Sequence, residues 1–215
     1  MRTKAFLIHL PLARAQLLSA LRAQGLDVVF FTTNDAPVES AYEALAPGVA
    51  HCTNAHALSG RAPELGGPAV ARIEDIEKLA PTAVAALHCL DRSNSTGRAI
   101  SELQSIYLSH VGQWRRMLEQ YDPEVVVFTD NPHHGWDNVL YDLCKADGRQ
   151  TILFGYTDLP RRVVLKAAIE DTPGPTPEEI EVASREDLPD LERDPVNLHI
   201  HEKINNLSGI RKKLS

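Results

Sequence analysis

The stretch Glu124 to Arg162, EVVVFTDNPHHGWDNVLYDLCKADGRQTILFGYTDLPRR, decides how the chain is read. It opens on an apolar, β-branched run from Val125 to Phe128, which suits a strand buried on both faces. A polar crest follows at once: Thr129, Asp130, Asn131, Pro132, His133, His134 and Gly135. Beyond it Trp136, Val139, Leu140, Leu143 and Cys144 recur at three- and four-residue steps, the spacing of a helix with one buried face, and Gly148 is placed to end that helix. A second apolar run, Thr151 to Tyr156, closes a strand-loop-helix-strand unit whose strands are expected to lie parallel. In such a unit the loop leaving the carboxyl end of a strand faces the ligand crevice, so two histidines and an aspartate are expected where ligands bind.

Toward the N-terminus the same grammar repeats. Lys4 to Leu10 is an apolar run of strand length; after Pro11, Leu17, Leu18 and Leu21 give a helical face that ends at Gly25; Asp27 to Thr32 is a second β-branched and aromatic strand. The first unit lacks GxGxxG, since after the strand the chain offers His9, Leu10 and Pro11, and a dinucleotide fold of the usual kind is therefore disfavoured. The expected fold class is α/β: a Rossmann-like, mostly parallel sheet flanked by helices, with Leu7, Val29, Val126 and Ile152 on central strands.

The middle of the chain is less patterned. A short helix over Glu39 to Leu45, a strand around Val49 to Cys52 and a solvated helix over Arg72 to Lys78 are expected, with His51 and His56 as surface or loop residues. In LHCLDRSNST, Leu87 to Thr96, an apolar patch ends at Asp91 and Arg92, which form either a local ion pair or a buried charged pair at the mouth of the cleft. The helix that follows is the longest in the chain, lined by Ile100, Leu103, Tyr107, Val111, Trp114, Leu118 and Tyr121. Beyond Tyr156 come Arg161, Arg162 and a third apolar run, Val163 to Ile169. Composition then turns acidic and proline-rich, and a last helix, starting at Asp194 and Pro195 and striped with apolar positions from Val196 to Leu214, runs to the terminus. The expected domains are residues 1–170, Rossmann-like, and 171–215, a linker and a helix that needs a partner domain or subunit, or the sheet, to pack on.

Composition excludes several classes. With 215 residues and 43% hydrophobic content the chain can bury a full core. No apolar run approaches the roughly 20 residues of a membrane span, and the apolar part of MRTKAFLIHLPLARAQ is short for a signal peptide, so a cytoplasmic protein is expected. Cys52, Cys89 and Cys144 lack any CxxC pairing and read as reduced thiols. A net charge of −7 without a basic tract before Arg211 argues against nucleic acid as a partner.

With these residues in view, the chain resembles the N-terminal domain of GT-B-type glycosyltransferases of bacterial capsule and surface-polysaccharide biosynthesis. The resemblance covers roughly Lys4 to Glu170 and rests on the opening strand-helix-strand, on LHCLDR, and above all on DNPHHGWDNVLYDLCKADGRQTILFGYTDLPRR. Asp130, Pro132, His133, Asp137, Tyr141 and Arg161 or Arg162 match the family's pattern, although an acidic residue longer than Asp130 is usual there. The resemblance implies the acceptor-side half of an enzyme that transfers a sugar from a nucleotide-sugar donor to a glycan acceptor. The donor would be held mainly by a second domain that these residues do not contain, and no cofactor is implied.

Sugar transfer needs a base for the acceptor hydroxyl and help for the departing phosphate. His133 is the candidate base, with Asp130 beside it to orient the ring. Asp91, Arg92, His134, Asp137, Arg161 and Arg162 are the candidate substrate contacts, the arginines suiting phosphate or a carboxylated sugar. The helix starting near Gly135 would add free amides to the same crevice. No metal is expected, because adjacent His133 and His134 should point apart and His199 and His201 are out of phase on a helix. The alternative of another class is a non-catalytic Rossmann-like module that binds a ligand or partner chain, in which His133 and His134 merely cap the helix.

Overall fold

The computed structural model describes residues 2–10, 16–33, 46–60, 63–93, 97–156 and 163–171. Its strands are β1 (Thr3–Leu10), β2 (Leu26–Thr33), β3 (Ala50–Thr53), β4 (Val125–Phe128), β5 (Gln150–Tyr156) and β6 (Val163–Lys166). The helices are α1 (Gln16–Ala23), α2 (Asn54–Leu58), α3 (Ile73–Leu79), α4 (Ala83–Arg92), α5 (Ile100–Tyr121) and α6 (Trp136–Ala146). The strands form one sheet in the order β3-β2-β1-β4-β5-β6, parallel throughout except for β6, which runs antiparallel to β5. This is the mostly parallel α/β fold expected, with Leu7, Val29, Val126 and Ile152 on β1, β2, β4 and β5.

Alternation along the central strands explains why both faces are apolar. Phe6, Ile8, Phe30, Val126 and Phe128 point to one side, where they pack with Trp114 and Leu118 of α5 and Trp136 and Leu140 of α6. Ala5, Leu7, Val28, Phe31, Val125 and Val127 point to the other, against Leu18 of α1. The two tryptophans stack with ring centroids 5.6 Å apart and are fully buried, so they fix how α5 lies against α6.

The apolar patch of LHCLDR is the last part of α4, with Ala86 and Leu90 buried one turn apart. The charged run before Lys78 does form a helix, α3, but Asp75 on it is buried rather than solvated. The reason is Arg115 of α5, whose guanidinium donates to Asp75 at 2.6 Å and to Asp147, just past α6, at 2.5 Å. A buried carboxylate is tolerated when a guanidinium pairs with it in this way. Among the described residues no helix is long and apolar enough to cross a membrane. The expected helix over Glu39–Leu45 and nearly all of the segment 171–215 lie outside the described residues.

The strand order sets the position of the site. It reverses between β1 and β4, and the carboxyl ends of strands at such a switch point are where open sheets of this kind bind ligands. Gly135, at the start of α6, lets that helix approach α4: its φ is +90°, and a Cβ there would lie 2.4 Å from the Leu90 side chain.

Candidate functional site

His9 stands at the end of β1 in a left-handed conformation, φ 64°, which is uncommon for a residue with a Cβ. Two threonine hydroxyls hold it there. Its N–H donates to Thr32 Oγ1 of β2 at 2.9 Å, and its carbonyl accepts the Thr129 hydroxyl from the end of β4. Such a backbone costs about 1–3 kcal/mol, and two buried hydrogen bonds at about 1 kcal/mol each offset much of that. The turned backbone aims the ring across the switch point instead of into the sheet. Nε2 meets Asp137 Oδ2 at 2.8 Å, Nδ1 meets Asn54 Nδ2 at 2.8 Å, and the ring lies 5.0 Å from that of Trp136.

Asp137, in the first turn of α6, is the hub. It is completely buried, yet it accepts from His9 Nε2, from the backbone amides of His133, His134 and Asn138, and from His134 Nδ1 at 3.2 Å. Burial alone would raise its pKa; the hydrogen bonds from His134 and His9, with the nearby His9 ring, outweigh it and hold the carboxyl well below the usual carboxylate range. An ionised carboxylate only accepts, so His9 carries its proton on Nε2 and His134 carries one on Nδ1. The Asn54 amide donating to His9 Nδ1 agrees with that tautomer.

His133 and His134 form the more open wall of the crevice. They were expected to point apart, but their ring centroids are 3.9 Å from each other, and both lie near His9, at 6.2 and 5.2 Å. His133 Nδ1 donates to the Asn131 carbonyl at 2.6 Å. Each ring therefore has Nδ1 occupied as a donor, and its second nitrogen, Nε2, carries the lone pair in the neutral state.

The other candidates fall in varied places. Asp130 does not orient His133; its Oδ1 accepts the amide of Asn131. Arg92 is exposed at the end of α4, and its Nη2 donates to the His133 carbonyl at 2.8 Å, which ties that helix to the rim of the site. Asp91 is exposed beside it, so the pair is not a buried one. Asp137, expected as a substrate contact, faces inward, where its hydrogen bonds organise the site. Arg161 and Arg162 lie outside the described residues. At the start of α6, Asp137 caps the amide of Asn138 together with those of His133 and His134 in the preceding loop, and Asn138 Oδ1 accepts that of Gly135 at 3.0 Å. The chain's own side chains thus take part of the anion seat that a helix N-terminus usually offers, and Trp136 and Asp137, whose amides complete it, are buried.

One ligand atom from each of His9, His134 and Asp137 lies within 4.8 Å of the others, a spacing that a divalent ion could bridge. In the observed arrangement both nitrogens bear the protons they give to Asp137, so a metal would have to displace two protons and two hydrogen bonds. Behind the crevice His110 of α5 is fully buried. Burial pushes its pKa down to about 4, against smaller upward pulls from Gln113, the Asp137 charge and the Leu58 backbone.

His9 and Asn54 escaped sequence reading. Their signal was positional: a histidine at the carboxyl end of the first strand, and an asparagine opening the helix after β3, both on the edge that holds the His133 loop. No protein-family model, curated protein or solved structure matches the chain.

Proposed function

We propose that the chain is the acceptor-side half of a glycosyltransferase, in which the His133 and His134 pair supplies the base for an acceptor hydroxyl. The acceptor O–H gives its proton to an imidazole Nε2, the oxygen attacks the anomeric carbon of a nucleotide-sugar, and the bond to the leaving phosphate breaks with its electron pair. One observation supports the reading: the switch-point edge presents two imidazoles with Nδ1 held as donor, while the amides of His133, His134, Gly135 and Asn138 are engaged from within. Such a crevice is suited to activating a neutral hydroxyl. The charge of the departing nucleotide must then be met elsewhere, by a donor-binding domain and by cations such as Arg161 and Arg162. The capped helix also suits the alternative, a non-catalytic module that binds an uncharged ligand.

Transfer from a labelled nucleotide-sugar separates the two. It is to be measured with a nucleotide-binding domain from the same reading frame or an adjacent one present. Replacing both histidines by alanine should lower turnover by roughly a hundredfold or more, beyond any loss of folded protein. If the rings only cap α6, the double variant should cost about 1 kcal/mol of stability and keep its turnover per folded molecule. That outcome, or no transfer by the unaltered protein, overturns the catalytic reading.

A further inference from the structure

The two imidazoles of the pair are not equivalent. His133 Nδ1 rests on a neutral backbone carbonyl, whereas His134 Nδ1 rests on the buried carboxylate of Asp137. A proton taken up at Nε2 makes the ring cationic, and a carboxylate at Nδ1 stabilises that cation better than a carbonyl does. Asp137 is itself held from behind, because His9 Nε2 donates to the same Oδ2 and Asn54 Nδ2 donates to His9 Nδ1. The hydrogen bonds of these four side chains therefore converge on one acceptor: Asn54 donates to His9, and His9 and His134 both donate to the Asp137 carboxylate.

We propose that His134 is the catalytic base, with Asp137, His9 and Asn54 as positioning residues, and that His133 contacts the acceptor without taking its proton. The proposal rests on the glycosyltransferase reading for the identity of the proton's source, but the arrangement of protons in the free chain does not. In the transfer step the acceptor proton moves to His134 Nε2, the Nδ1–H stays on Asp137, and the proton leaves to solvent after the glycosidic bond has formed. His9 keeps its single proton on Nε2 throughout. Its left-handed backbone, clamped by Thr32 and Thr129, gives the ring one direction in which to point.

The test is the tautomeric state of each ring, read from long-range nitrogen-proton spectra of the labelled chain under mildly alkaline conditions. The expected pattern is Nε2–H for His9 and Nδ1–H for both His133 and His134. Asn54→Asp replaces the donor facing His9 Nδ1 with an acceptor, so His9 should change to a form protonated at Nδ1 while His133 is unmoved, a response that a merely structural Asn54 would not give. An Nε2–H pattern at His134 in the unaltered chain overturns the relay, and that spectrum decides the matter even if the Asn54 variant fails to fold. Addition of one equivalent of zinc should leave the His9 and His134 nitrogens unshifted; a stoichiometric shift of both would replace the relay with a metal site. If the tautomers are as expected and no transfer is found, the glycosyltransferase reading fails and the relay stands. If transfer is found with other tautomers, the reverse holds.

Discussion

Asp137→Asn removes one charge and exchanges one acceptor oxygen for an NH2 group, with almost no change in size. In the native chain Oδ2 receives His9 Nε2–H, the His133 amide and His134 Nδ1–H, while Oδ1 receives the amides of His134 and Asn138. An asparagine has a single oxygen, so whichever way its amide turns, at least two of these donors meet N–H instead of an acceptor. Each buried donor left unpaired costs about 1–3 kcal/mol, so the substitution should cost about 2–5 kcal/mol even if one backbone amide finds water. For a domain of ordinary stability that is a large fraction of the total. Denaturant unfolding of both proteins should show the midpoint falling with an unchanged slope, the sign that the same fold has lost stability. A loss below about 1 kcal/mol would mean that the carboxylate is not the hub described here.

Two other outcomes follow from the same packing. His110 is held neutral by burial, with its pKa moved from 6.5 down to about 4, so between those values the unfolded chain binds more protons than the folded one. Stability should be whole above about pH 6.5 and decline as pH falls through that window, by about 2 kcal/mol at about pH 5. Unfolding of the unaltered chain and of His110→Leu at both pH values isolates this share, which should vanish in the variant. Gly135→Ala forces a side chain into a left-handed backbone and against Leu90, so it should cost about 3 kcal/mol or more by calorimetry; a neutral result would show that α4 does not pack there.

The sheet was legible because each central strand is buried on both faces and reads as an unbroken apolar run, and the long α5 was legible because its apolar residues keep helical spacing over many turns. LHCLDR was harder, since a short apolar patch carries no clear period, although Ala86 and Leu90 are spaced as a helix requires. The loop with His133 and His134 could be placed at the ligand edge from the strand-helix-strand pattern alone. The inward role of Asp137 could not, because it depends on His9, 128 residues away in sequence, and on Asn54 behind His9. His9 looked like the tail of an apolar strand; only its left-handed backbone, fixed by two threonines from neighbouring strands, turns it into the site.

The most direct measurement is a titration of the chain alone, with the ring resonances of His133 and His134 followed as ligand is added. Neutral oligosaccharides should shift both rings saturably, while inorganic phosphate and nucleotide-sugars should leave them in place, because the amides of His133, His134, Gly135 and Asn138 are already engaged and Trp136 and Asp137 are buried. Saturable shifts from phosphate or a nucleotide-sugar, with none from any neutral glycan, would contradict an acceptor-side site.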